Sequence, residues 1–247
     1  MFRWFSVLVL CWGFCCRGWC EAIEVFGADD YPGICFLQDG KPQGLFPHIL
    51  AGVSKLSGDT YDLKLFPWKR AQSYAEAGKG GIAHFSKTAE REVQFDYSSR
   101  VYGDRIQLVV LKGDLFEFKD LQDLKGKRIG VKFGASFGQR VDAFFASTQA
   151  TIDRDPGIQS RLKKLLRNRI DVAVVEGADG QLEKLIGQDA ELKLKKDQFV
   201  LLPMPLVDDA LYLAFAKSMN RKDALDRFNK GLDKYKKTDA YRKLVAP

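Results

Sequence analysis

The chain has 247 residues, 46% of them hydrophobic, with a formal net charge of +7 at pH 7; that length suffices for one large or two small domains. The basic residues are spread out, with local clusters at 125–128, 161–169 and 234–237 that read as solvated helix faces or turns, and no nucleic-acid motif accompanies them, so no nucleic-acid partner is expected. The two histidines, His48 and His84, share no metal-ligand spacing, which argues against a zinc or iron site.

Taken in chain order, the first feature is a leader. Arg3 precedes a mostly apolar run over residues 4–16, and Cys20-Glu21-Ala22 offers small residues of the kind a signal peptidase reads. This predicts a secretory signal peptide over residues 1–22, cleaved after Ala22. The run is shorter than the ~20 residues that span a bilayer. Cys11, Cys15, Cys16 and Cys20 leave with the leader, so Cys35 alone remains. A lone cysteine in an oxidising compartment is expected to be buried.

Residues 23–26 read as a first strand. Phe46, Ile49, Leu50, Val53 and Leu56 recur at helical spacing, and Gly58 supplies a stop. Residues 61–66 alternate as a strand, 68–77 read as a helix closed by Gly78, 82–85 as a short strand and 105–111 as a buried strand. Lys112-Gly113-Asp114 breaks the pattern. Beyond it, strands are expected at 128–131, 151–153 and 171–175, with helices at 137–145, 158–167 and 179–186. Residues 199–202 lead to Pro203-Met204-Pro205, then come a strand at 211–215 and helices at 224–235 and 239–244. Strands alternating with helices predict an α/β layered fold. No Gly-x-Ser-x-Gly elbow or Walker pattern is present, so no catalytic residue and no cofactor is assigned.

The most informative segment is Thr88-Ala89-Glu90-Arg91-Glu92-Val93-Gln94-Phe95-Asp96-Tyr97-Ser98. It presents a planar, permanently charged fork suited to a carboxylate. Read by itself, Arg91 is as well explained by a surface ion pair with Glu90, Glu92 or Asp96. The segment resembles the Thr-x-Glu-Arg…Phe-Asp-Phe-Ser signature of the family 3 periplasmic solute-binding proteins, the polar amino-acid receptors of ABC importers. Phe66-Pro67-Trp68-Lys69-Arg70-Ala71 is similar to a Pro-Trp-x-Arg-Ala stretch in one branch of that family, and Lys132-Phe133-Gly134-Ala135-Ser136 to its Val-x-x-Gly-[Thr/Ser] turn.

The resemblance implies a two-lobed periplasmic-binding-protein type II fold, with two βα lobes joined by a two-strand hinge around a cleft. Lobe 1 would comprise 23–111 and 204–247, and lobe 2 residues 112–203. It implies a monomeric periplasmic receptor that takes a small polar solute, an amino acid or related carboxylate, to an ABC-transporter permease. By the same resemblance Arg91 grips the ligand carboxylate, with Ser86 and Thr88 as further donors. Ser136 contributes at a helix N-terminus or caps that helix, and Phe133 covers the ligand. Glu176 takes the ammonium, although the family more often has Asp there; Asp179 is an alternative. Asp29, Tyr31 and Trp68 line the lobe edge, where the two aromatics can equally be core residues. An enzyme on the same scaffold, of the cyclohexadienyl or arogenate dehydratase kind, and a periplasmic ligand sensor are the alternatives, since fold does not settle function.

Overall fold

A computed structural model describes residues 22–245 apart from 32 and 178–181. Residues 1–21 of the expected leader, and Asp179, therefore lie outside the described residues. β1 (Ile23–Ala28) is followed by a small sheet of β2 (Asp30–Tyr31), β3 (Cys35–Gln38) and β4 (Lys41–Gln43). Then come α1 (Leu45–Ser57), β5 (Tyr61–Phe66), α2 (Trp68–Glu76), β6 (Gly81–Ser86), α3 (Ala89–Gln94), β7 (Phe95–Tyr97) and β8 (Tyr102–Leu111). The chain continues through β9 (Arg128–Lys132), α4 (Gln139–Ala146), β10 (Thr151–Asp155), α5 (Ile158–Leu166), β11 (Val172–Val175), α6 (Leu182–Gly187) and α7 (Ala190–Lys193). It closes with β12 (Phe199–Leu201), β13 (Val207–Ala216), α8 (Lys222–Lys236) and α9 (Asp239–Leu244).

The main sheet runs β10-β9-β11-β8-β13-β6-β1-β5. At one end β5, β1 and β6 pair in parallel; at the other β10, β9 and β11 do the same. The long strands β8 and β13 pair antiparallel between the two groups, with Val207 opposite Ile106 and Leu211 opposite Tyr102. Apolar side chains form separate cores on either side of this pair. Val25, Phe46, Ile49 and Val53 pack with Phe228 and Leu232 of α8, so α8 lies on α1. Leu108, Ile129, Val131, Phe144 and Val174 build the core at the β9 end. Cys35 is fully buried and unpaired, and burial pushes its thiol well above the usual range.

The expected α/β alternation is present, and the differences have local causes. α1 ends where Gly58 turns left-handed (φ 82°) and its N–H bonds back to the Ser54 carbonyl. The helix expected from 137 starts at Gln139, because Gly138 has a φ of 85° and Phe137 turns into the core instead. Ser136 does not cap that helix: its hydroxyl donates to the Asp142 carboxylate, which also accepts from Phe137 N–H at 2.9 Å. The helix expected from 179 is described only from Leu182. β6 is longer than expected and irregular; its pairing with β13 shifts between Tyr212 and Ala214, and His84 sits at φ 42°. A non-glycine residue there needs a local anchor, which His84 Nε2 supplies by accepting the Ala28 N–H at 2.9 Å.

Candidate functional site

Arg91 is set by its own helix. Thr88 caps α3 by accepting the Arg91 N–H at 3.1 Å, which fixes the first turn. The guanidinium folds inward over the Phe85 ring, 4.2 Å from its centroid, and the residue is 9% exposed. It donates to the Ser86 carbonyl at 3.0 Å and the Gly134 carbonyl at 3.4 Å. Among the described residues it forms no ion pair with a carboxylate within 4.0 Å. Burial lowers its pKa, partly offset by Tyr97, Asp142 and Asp209. The surface pairing with Glu90, Glu92 or Asp96 that the sequence allowed is not formed.

Around this cation a cavity of about 40 Å³ is lined from both ends of the sheet. From the β1 end come Tyr31, Trp68, His84, Ser86 and Arg91; from the β9 end come Lys132, Ala135, Ser136, Phe137 and Glu176; Ile106 and Asp209 rise from the crossing strands. Trp68 Nε1 donates to the Gly134 carbonyl at 3.1 Å, and its ring lies 5.2 Å from that of His84. Tyr31 meets the same imidazole edge-on, while its hydroxyl donates to Asp104 Oδ2 at 2.8 Å. Desolvation lowers His84 to about 3, so the imidazole that accepts from Ala28 is neutral. Lys132 reaches across to the carboxylate and carbonyl of Asp30. These cross-contacts hold the two ends together. At ~10–15 Å³ of such space per water, the cavity admits an amino acid only if the walls part.

On the far wall, Glu176 is half committed. Its Oε2 accepts from Arg161 Nη1 at 3.0 Å, whereas Oε1 is buried with no hydrogen-bond partner among the described residues. Arg161 is fully buried and also grips Asp155 at 3.0 Å. Burial pulls Arg161 down, but Glu176 and Asp155 more than offset it. Its aliphatic stem lies over Gly130, where an added Cβ would come within 2.8 Å of Arg161 Cγ and 2.6 Å of Ile170 Cδ1. Gly130→Ala should therefore destabilise the fold by roughly 1–3 kcal/mol through overpacking, read as a lower urea midpoint with an unchanged slope.

Of the residues singled out in the sequence, Arg91, Ser86, Tyr31, Trp68, Ser136 and Glu176 meet at one cavity. Thr88 is spent on its cap and borders a neighbouring groove of about 610 Å³ that Arg91 also lines. Asp29 lies in a separate cavity of about 440 Å³ between β3 and the start of α5. Phe133 is half exposed and lines none of these three. Sequence reasoning assigned nothing to Asp30, Lys132 or Asp209. The only hint for Asp209 is the acid pair Asp208-Asp209 inside an apolar strand. Among the described residues, no group of three or more His, Cys, Asp or Glu side chains is placed to hold a metal ion.

Residues 23–247 match the profile of the bacterial extracellular solute-binding proteins, family 3. The chain belongs to that family. It is 23% identical over 216 residues to the probable amino-acid-binding protein YxeM of Bacillus subtilis (strain 168), covering 87% of this chain and 78% of that protein. The amino acid ABC transporter substrate-binding protein AbpA of Streptococcus pneumoniae, solved with L-arginine, superposes with a TM-score of 0.71 at 21% identity, covering 91% of this chain and 92% of that one. A histidine kinase sensor domain with similarity to periplasmic binding proteins gives 0.75 at 20% identity, covering 91% and 94%. The fold is that of the type II periplasmic binding proteins.

Proposed function

We propose that this protein is a periplasmic receptor that captures a small amino-acid-like zwitterion and delivers it to the permease of an ABC importer. The observation that carries the reading is the buried Arg91 guanidinium across one cavity from Glu176 Oε1, the first without a carboxylate partner and the second without a hydrogen-bond partner among the described residues. A ligand carboxylate would neutralise the first, and a ligand ammonium would meet the second. Such a ligand favours whichever arrangement brings both walls to it. Lobe 1 (23–111 and 204–247) and lobe 2 (112–203) would then close about β8 and β13. YxeM and AbpA, an amino-acid-binding protein by name and an importer component, support the substrate class and the delivery role. The receptor works as a monomer and needs no cofactor.

A thermal-shift screen of amino acids, opines, polyamines and small organic acids tests this. A ligand at a hundred times its Kd stabilises by about 2.7 kcal/mol, which for a chain this long moves Tm by roughly 5–10 °C. At least one amino acid should do so, and a flat response across all of them would remove the reading. Incubation with prephenate or arogenate should give no product. Uptake of the bound amino acid into vesicles carrying the cognate permease separates delivery from sensing. The exported protein should start at Ile23; Edman sequencing that returns residues of the leader instead would refute cleavage after Ala22.

A further inference from the structure

The cavity has a cation-seeking group that the sequence motifs do not include. Asp209 enters from β13, opposite Asp104 of β8, and its carboxylate faces the same space as Arg91 and Glu176. It is 8% exposed, and its Oδ2 accepts the Ser86 hydroxyl at 2.6 Å. Among the described residues no cation lies within 4.0 Å of it. A buried carboxylate with one neutral donor is costly unless a counter-charge arrives. The far wall by itself offers a ligand ammonium little. Glu176 offers a single oxygen, since Arg161 holds the other, and Lys132 lies within its field.

Resting on the amino-acid-receptor reading, we infer that Asp209 receives the ligand's α-ammonium from the hinge side and so makes the cleft select amino acids over plain carboxylates. Ser86 orients the carboxylate for this through its 2.6 Å hydrogen bond. The arrangement joins an anion receiver, Arg91, to a cation receiver on one continuous wall, so a zwitterion docks there before the far wall completes the grip.

The proton balance gives a distinctive signature. Burial raises Asp209 to about 7; the Ser86 hydrogen bond and Arg91 pull it down, while Asp104 and Asp142 push it up. These groups face it from β6, α3, β8 and α4, and Tyr31 of β2 senses its charge. An arriving ammonium lowers that pKa, the carboxyl proton passes to the buffer, and an N–H···O hydrogen bond forms in its place. Affinity for an amino acid is therefore fully developed above pH 7 and falls as pH drops below it, by up to about tenfold per unit. Neither neighbouring base obscures this at pH 6: Lys132, at about 8, stays charged, and His84, at about 3, stays neutral.

The test is isothermal titration of the best-binding proteinogenic L-amino acid and of its des-amino analogue, at pH 6 and pH 8.5, in two buffers of different ionisation enthalpy. The wild type should release close to one proton per amino acid at pH 6 and almost none at pH 8.5, and none with the des-amino analogue. It should prefer the amino acid by at least about tenfold, and Asp209→Asn should cut that preference about tenfold or more and abolish the release. Absence of proton release from the wild type overturns the inference, and that measurement stands even if the variant does not fold. So does an Asp209→Asn protein that discriminates as the wild type does. In both cases amino-acid binding by the wild type would leave the receptor reading intact; no binding of any of the twenty would remove both.

Discussion

Arg91→Ala should weaken ligand binding by roughly 30-fold or more while leaving the ligand-free protein about as stable as before. The asymmetry follows from where the guanidinium spends its donors. Without ligand it bonds two backbone carbonyls, at 3.0 and 3.4 Å, and stacks on Phe85. Those contacts are set against the desolvation of a charge that has no carboxylate partner among the described residues, so removing it relieves about as much as it loses. With a carboxylate bound, the same side chain forms the buried, charge-assisted pair, and truncating one member of such a pair costs ~2–5 kcal/mol, which is the stated fold-change and upward. Titration calorimetry beside thermal unfolding of the free protein reads both halves. Lysine at this position keeps the charge but loses the fork, and should fall between alanine and wild type. A variant with normal affinity would mean that the ligand's anion lies elsewhere in the cleft.

How much of this was legible in the sequence depends on the range over which each signal acts. The helices around α1, α5 and α8 show in the 3.6-residue recurrence of apolar side chains, and Gly58 marks a stop through its own backbone freedom. Arg91 lies within one local motif, so a resemblance over eleven residues reached it; the same motif offered Thr88 as a ligand donor, whereas its hydroxyl caps α3. Glu176 was reachable as an acid after a buried strand, but its partner Arg161 was hidden, because a basic helix face such as 161–169 ordinarily points to water. Here one of its members is the largest fully buried side chain among the described residues. Asp209 and Lys132 were hidden for a related reason. Each becomes part of the site only when β8 and β13 bring residues more than a hundred positions apart to one cavity, as Ser86 and Asp209 are. Likewise the small sheet β2–β4 depends on pairings across tight turns that short polar stretches do not announce.

Arg161→Leu should cost more stability than any other single change at the site, about 3–5 kcal/mol, because it strands two carboxylates rather than one. Arg161 Nε and Nη2 hold Asp155 at 3.0–3.2 Å, Nη1 holds Glu176 at 3.0 Å, and Asp155 itself is 1% exposed. Lys164, 3.7 Å from Asp155, remains as a weaker partner and keeps the loss within that range. Burial already pushes the Asp155 carboxyl up against the pull of Arg161. Without the guanidinium its folded pKa rises further above the unfolded value. Such a group favours the folded state while protonated and loses that contribution as pH rises. The variant's deficit in urea unfolding should therefore be largest near pH 7 and shrink toward pH 5, and Asp155→Asn in the same chain should recover part of it at pH 7. A deficit independent of pH would mean that lost packing of the aliphatic stem over Gly130, rather than uncompensated charge, sets the cost. Ligand affinity should fall as well, because Glu176 would no longer be held with Oε1 toward the cavity, and wild-type affinity in a destabilised Arg161→Leu protein would show that Glu176 takes no part in binding.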